Sequence, residues 1–99
     1  WSSLGAQVQS ITFDLKSTIL IKGLDISTFE DSSELDTIQL LLDGVEHSYS
    51  IERLSARKWI VVINYTSGYR FCRYPTLRCD GNGLNVVQSI NCEIVSWLG

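Results

Sequence analysis

Apolar and polar residues alternate along much of this chain with the period of two that a half-buried β-strand imposes. From Gln7 to Leu15, Gln9, Ile11, Phe13 and Leu15 fall on one side and Val8, Ser10, Thr12 and Asp14 on the other, with the Phe13 side predicted to face inward. The β-branched residues Thr18, Ile19 and Ile21 predict a second strand from Ser17 to Lys22, forming a hairpin or bent pair with the first across a bend at Lys16 and Ser17. Val45 to Arg53 alternates most cleanly, with Val45, His47, Tyr49 and Ile51 facing inward and Glu46, Ser48, Ser50 and Glu52 facing water. After a short connection, Lys58 to Thr66 is apolar on both faces, the mark of a central strand. Thr66-Ser67-Gly68 predicts a tight turn into Tyr69 to Tyr74, a hairpin partner for that strand that ends at Pro75. Asp80-Gly81-Asn82-Gly83 predicts a turn before a last long strand, Leu84 to Leu98, with Val86, Ile90, Cys92 and Ile94 inward.

Two stretches depart from this rhythm. Ser27 to Asp36 is polar and crowds Glu30, Asp31, Glu34 and Asp36 together, which predicts a surface loop. Over residues 33–43, Leu35, Ile38, Leu41 and Leu42 fall at helical spacing behind Ser33 as an N-cap, with Gly44 as a C-cap, so a short helix competes with a strand. Asp43-Gly44 is a strong two-residue hairpin turn leading into the Val45 strand, and this favours the strand. About seven short strands with turn signals between them give an all-β fold, a single small antiparallel β-sandwich over residues 1–99.

Composition agrees with a folded domain, since 44% of the 99 residues are hydrophobic and 19% charged. The longest apolar run, Trp59 to Ile63, is far short of the roughly 20 residues of a membrane-spanning helix, so no membrane insertion is expected. A start at Trp1 in place of Met reads as a piece of a longer precursor. The net charge of −3 conceals a split: Arg53, Arg57, Lys58, Arg70, Arg73 and Arg78 occupy a stretch without acids, while all eleven acids and the other two cations lie outside it. Interleaved strands would disperse these blocks; a basic patch is the alternative.

Catalytic patterns are absent. His47 is the only imidazole, and Glu46 and Glu52 would lie on the opposite face of its strand. Cys72, Cys79 and Cys92 show no metal-ligand spacing, so they are candidates for a disulfide, and neither metal nor cofactor is expected. The acidic stretch lacks the spacing of a calcium loop, and no phosphate-binding glycine motif occurs. Asn64-Tyr65-Thr66 is a glycosylation acceptor pattern, which with the cysteines points to a secreted or extracellular setting.

The richest segment interleaves Tyr65, Tyr69, Phe71 and Tyr74 with Arg70, Arg73 and Arg78. Tyr and Arg are the residues most enriched as anchors of protein interfaces, so Tyr65, Tyr69, Arg70, Arg73, Tyr74 and Arg78 are the candidate binding residues. The expected function is non-enzymatic recognition of another protein, in a secreted, surface, viral or effector context. Carbohydrate binding through Trp59, Trp97 or Tyr69 is one alternative. Nucleic-acid binding, or a small nuclease using His47, is the other, and the acidic pI of about 4.9 counts against it.

Overall fold

Strands form where the alternation is clearest, but which sheet each joins is decided by long-range pairing. A computed structural model describes residues 8–29, 35, 38–80 and 83–95. Its strands are β1 (Val8–Thr12), β2 (Ile21–Thr28), β3 (Gln39–Leu42), β4 (Val45–Glu46), β5 (Tyr49–Ser55), β6 (Lys58–Ile63), β7 (Pro75–Asp80) and β8 (Val87–Ile94), with a 3-10 turn at Gly83–Val86. They build two four-stranded antiparallel sheets, in the orders β1-β7-β3-β4 and β5-β6-β2-β8. The expected β-sandwich is the observed architecture.

Each sheet turns one apolar face to the other. Leu40, Leu42, Leu77 and Cys79 from the first sheet meet Leu24, Ile26, Val61 and Ile63 from the second, and all are buried. Burying a Leu or Ile side chain contributes about 1.5–3 kcal/mol, so this double layer is the main source of stability. β6 is central, as its two apolar faces predict, with Trp59, Val61 and Ile63 toward the core. Asp43 (φ 53°) and Gly44 (φ 85°) both take the left-handed conformation of a tight hairpin turn joining β3 to β4, which settles residues 39–42 as strand. Among the described residues no helix is long and apolar enough to cross a membrane.

Several expectations are corrected. β1 and β2 lie in different sheets and form no hairpin; the chain bends at Lys16 (φ 71°) and crosses over. β2 runs on through Ser27 and Thr28, where a loop was expected. The Val45 strand breaks at His47 and Ser48, which carry the chain from β4 in one sheet to β5 in the other. Val45 is consequently 45% exposed, not inward. Tyr69 to Tyr74 is not a strand beside β6, because β6 already has β5 and β2 as neighbours. Pro75 opens β7 instead of closing the preceding segment, the strand-start position where its missing N–H is tolerated. β8 begins at Val87, after the 3-10 turn, and Ile94 is exposed.

β2 and β6 leave no room for a side chain at Gly23. A Cβ there would sit 1.8 Å from the Val61 carbonyl oxygen, so any side chain forces β2 and β6 apart. Gly23→Ala is expected to cost at least about 3 kcal/mol, at or beyond the upper end of ordinary overpacking, read as a lowered midpoint in chemical denaturation.

Candidate functional site

The chain from Asn64 to Tyr74 links β6 in one sheet to β7 in the other without forming a strand, and local chemistry has to hold it. Its first turns are internal: Asn64 Oδ1 accepts the Thr66 N–H at 2.9 Å, and the Gly68 N–H donates to the Tyr65 carbonyl at 2.9 Å. Ile19 and Cys72 then exchange backbone hydrogen bonds of 3.0 and 2.8 Å.

Two carboxylates pin the far end. Asp43 Oδ1, at the β3–β4 turn, accepts the backbone N–H of Arg73 at 3.1 Å and of Tyr74 at 2.8 Å, and the Asp43 N–H donates to the Tyr74 carbonyl at 3.2 Å. The Arg73 guanidinium forks onto Asp14, with Nε 2.8 Å from Oδ1 and Nη2 3.3 Å from Oδ2. That fork, with the Lys16 N–H also donating to Oδ1 at 2.8 Å, lowers the Asp14 carboxyl to about 2. The Arg73 guanidinium carbon lies 5.1 Å from the centre of the Tyr74 ring.

A row of rings holds the near end. His47 and Tyr65 meet edge to face at 5.5 Å, and Tyr65 and Tyr69 tilt together at 5.6 Å. The Tyr65 hydroxyl donates to the Ile21 carbonyl at 2.6 Å, and burial pushes its phenol up to about 12. Tyr69 stands out at 73% exposure, with Phe71 at 46% and Tyr74 at 43%. Beside His47, an open depression of about 610 Å³ is lined by Glu46, His47, Ser48, Tyr49 and Ile51.

The structure therefore gathers Tyr65, Tyr69, Arg70, Arg73 and Tyr74 on one loop and separates Arg78 from them. Arg78 lies on β7 between Ser10 and Gln39, exposed on the outer face of the first sheet. His47 Nδ1 lies 3.0 Å from the Ser48 carbonyl, and among the described residues no carboxylate hydrogen-bonds to the ring. Trp59 is half-buried, with Arg53 stacked 5.3 Å from its ring and its indole Nε1 buried without a hydrogen-bond partner among the described residues, so it offers no open sugar platform. Trp97 and the acidic residues Glu30, Asp31, Glu34 and Asp36 lie outside the described residues. No disulfide joins Cys72, Cys79 and Cys92. Burial, reinforced by the Asp43 carboxylate, pushes Cys72 up to about 11, and burial also raises Cys92; neither is an activated nucleophile. Among the described residues no group of His, Cys, Asp and Glu is placed to hold a metal ion.

Sequence reasoning missed Asp14 and Asp43 as the residues that fix the loop. Asp43 was visible as a turn residue, and Asp14-Leu15-Lys16 has the side-chain-to-backbone pattern of an Asx turn, but nothing local announced Arg73 as their shared neighbour. It also missed Asp25 and Glu93, hydrogen-bonded to each other on the outer face of the second sheet. Asp25 raises the Glu93 carboxyl, partly offset by Lys22. They line a depression of about 300 Å³ with Lys22, Gly23, Ile60 and Val62. No family model, no curated protein and no solved structure matches this chain.

Asp43→Ala removes the acceptor of two backbone N–H groups and is expected to cost about 1–2 kcal/mol and to speed hydrogen exchange at the Arg73 and Tyr74 amides. Asp43→Asn keeps both an acceptor and tolerance of positive φ, and should leave that exchange near its original rate. Because the Asp14 carboxyl is depressed in the fold, its contribution is complete above its ordinary value of 3.8 and is lost as pH falls through about 2. A carboxyl titration followed by NMR should show this low midpoint, returning toward 3.8 in Arg73→Ala.

Proposed function

We propose that this domain is a non-enzymatic recognition module that binds another protein through the 64–74 loop. The observation that carries the reading is the combination of exposure and fixation. Tyr69, Phe71 and Tyr74 present large apolar surface to water on a segment whose backbone is held by Asp43, by Ile19 and by the Asp14–Arg73 fork. Exposed rings normally lose affinity to the ordering they undergo on binding; rings on a pre-ordered loop do not. Tyr69 and Arg70 are the expected energetic anchors, since Arg73 is engaged with Asp14 and serves to position the loop. An extracellular setting is a separate part of the proposal. It rests on the exposed Asn64 of the glycosylation pattern, and the three cysteines, which form no disulfide, add nothing to it.

The test compares the native chain with the double variant Tyr69→Ala, Arg70→Ala in affinity capture from the source tissue, then in titration of the recovered protein. The variant should keep its melting temperature and bind that protein about 10- to 100-fold more weakly, the range expected when interface anchors are truncated. Equal binding by the variant would reject the loop as the contact surface. Capture of a glycan or of RNA, the latter with a steep salt dependence, would favour the other ligand classes.

A further inference from the structure

A sandwich of two open sheets has four edge strands, and each edge exposes backbone N–H and C=O groups that invite another strand. Three of these edges are blunted. β4 is only two residues long. β5 carries Glu52 and Arg53 and a register shift between Arg53 and Ser55. The Arg53 side chain also folds back, Nε donating to the Ser55 carbonyl at 3.2 Å and Nη2 to the Ala56 carbonyl at 2.7 Å. β1 is five residues long and flanked by the 3-10 turn, to which Gln9 is tied at 3.0 Å through Leu84 N–H and at 2.8 Å through Asn85 Oδ1.

β8 is the least defended: the 3-10 turn and a bulge at Gln88 disturb only its start, and the rest runs regularly. It is eight residues long, contains no proline, lysine or arginine, and has Glu93 as its one charged residue. It pairs with β2 alone, so among the described residues its outward backbone groups have no ladder partner. Ile94, which pairs with buried Ile21 on the core side, stands 57% exposed at this open edge.

We propose that β8 pairs with β8 of a second copy of this chain, antiparallel about a two-fold axis, so that the two β5-β6-β2-β8 sheets become one continuous sheet. Side chains opposite each other must share a face, so the axis passes through a residue, not between two. Centring on Glu93 sets like charges directly opposite. Centring on Asn91 places Ile94 against Gln88, where β8 already bulges away from β2. Centring on Ile90 sends Ile94 past the strand's end to Val86 in the 3-10 turn. Centring on Cys92 sets Ile94 against Ile90 of the second copy, twice by symmetry, and Asn91 against Glu93. That register covers the exposed isoleucine and opposes no like charges. The occupant is a second copy because β8 is complementary to itself in this register. The edge lies on the opposite side of the second sheet from β5, so the row of His47, Tyr65 and Tyr69 beside the β4–β5 crossing stays open in both copies.

The register makes a covalent test available, because directly opposed antiparallel residues have Cα atoms about 4.5–5.5 Å apart, within disulfide reach. Cys72 and Cys79 are buried, leaving Cys92 as the half-exposed thiol. Light scattering and sedimentation across the micromolar range should give twice the 11.1 kDa chain mass for the native protein. Ile94→Lys, at an exposed position, should give the monomer mass while keeping a cooperative unfolding transition and the β-sheet circular dichroism of the native chain. Diamide should cross-link the native dimer, two Cys92 thiols surrendering two electrons and two protons to the azo reagent as the S–S bond forms, and Cys92→Ser should abolish that product. A monomer at every concentration, or a dimer that survives Ile94→Lys, would overturn the proposal. A dimer lost in Ile94→Lys yet not cross-linked by diamide would overturn the Cys92-centred register.

Discussion

Every crossing between the sheets of this sandwich strands backbone polar groups without ladder partners, and satisfying those groups is the constraint on which the rest of the structure depends. Only β3–β4 and β5–β6 are joined as hairpins; every other consecutive pair of strands changes sheet. At the short crossings the chain solves the problem with backbone: the His47 N–H reaches the Leu40 carbonyl at 2.9 Å, and the Val95 N–H reaches Leu20 at 3.1 Å. The 64–74 crossing is longer, and side chains take over. One carboxylate, Asp43, serves three purposes there: it permits the left-handed turn, accepts two N–H groups, and joins the β3–β4 hairpin to the start of β7.

The sequence revealed faces well and sheets poorly, for a physical reason. Period-two alternation reports which side of a strand is buried, and it placed Ile11, Phe13 and Leu15 together and identified Lys58 to Thr66 as central, of which Lys58–Ile63 is the strand. It does not report which of two layers a strand belongs to. Val45, His47, Tyr49 and Ile51 therefore read as one inward stripe, although the chain changes sheet in their midst. Tyr69 to Tyr74 read as a hairpin partner because it follows β6 after a turn, but the hydrogen-bonding edges of β6 are taken by β2 and by β5, a strand of earlier sequence. The aromatic and arginine content of the candidate site was legible as composition. Its support was not, since Asp43 lies 30 residues from Arg73 and Asp14 lies 59.

The cationic stretch of the sequence is spread over β5, β6, the 64–74 loop and β7. Arg73 is paired with Asp14, Arg53 stacks on Trp59, and Arg78 sits on β7 between Ser10 and Gln39. Tyr69, Phe71 and Tyr74 are the exposed large rings of the loop. The domain thus carries an aromatic, hydrogen-bonded crossing on one side and the open β8 edge on the other. On the proposed dimer, two proposed contact loops would bind a repeated or dimeric target with avidity beyond that of either alone.

The central claim is that an irregular crossing is as well ordered as the strands it connects. Backbone ¹⁵N relaxation across residues 65–74 addresses it directly, because order parameters distinguish a fixed loop from a mobile one on the picosecond-to-nanosecond scale. Values near those of β6 and β7, about 0.85, are expected throughout the crossing. Values below about 0.6 between Tyr69 and Tyr74 would contradict it, since the rings would then be displayed on a flexible tether.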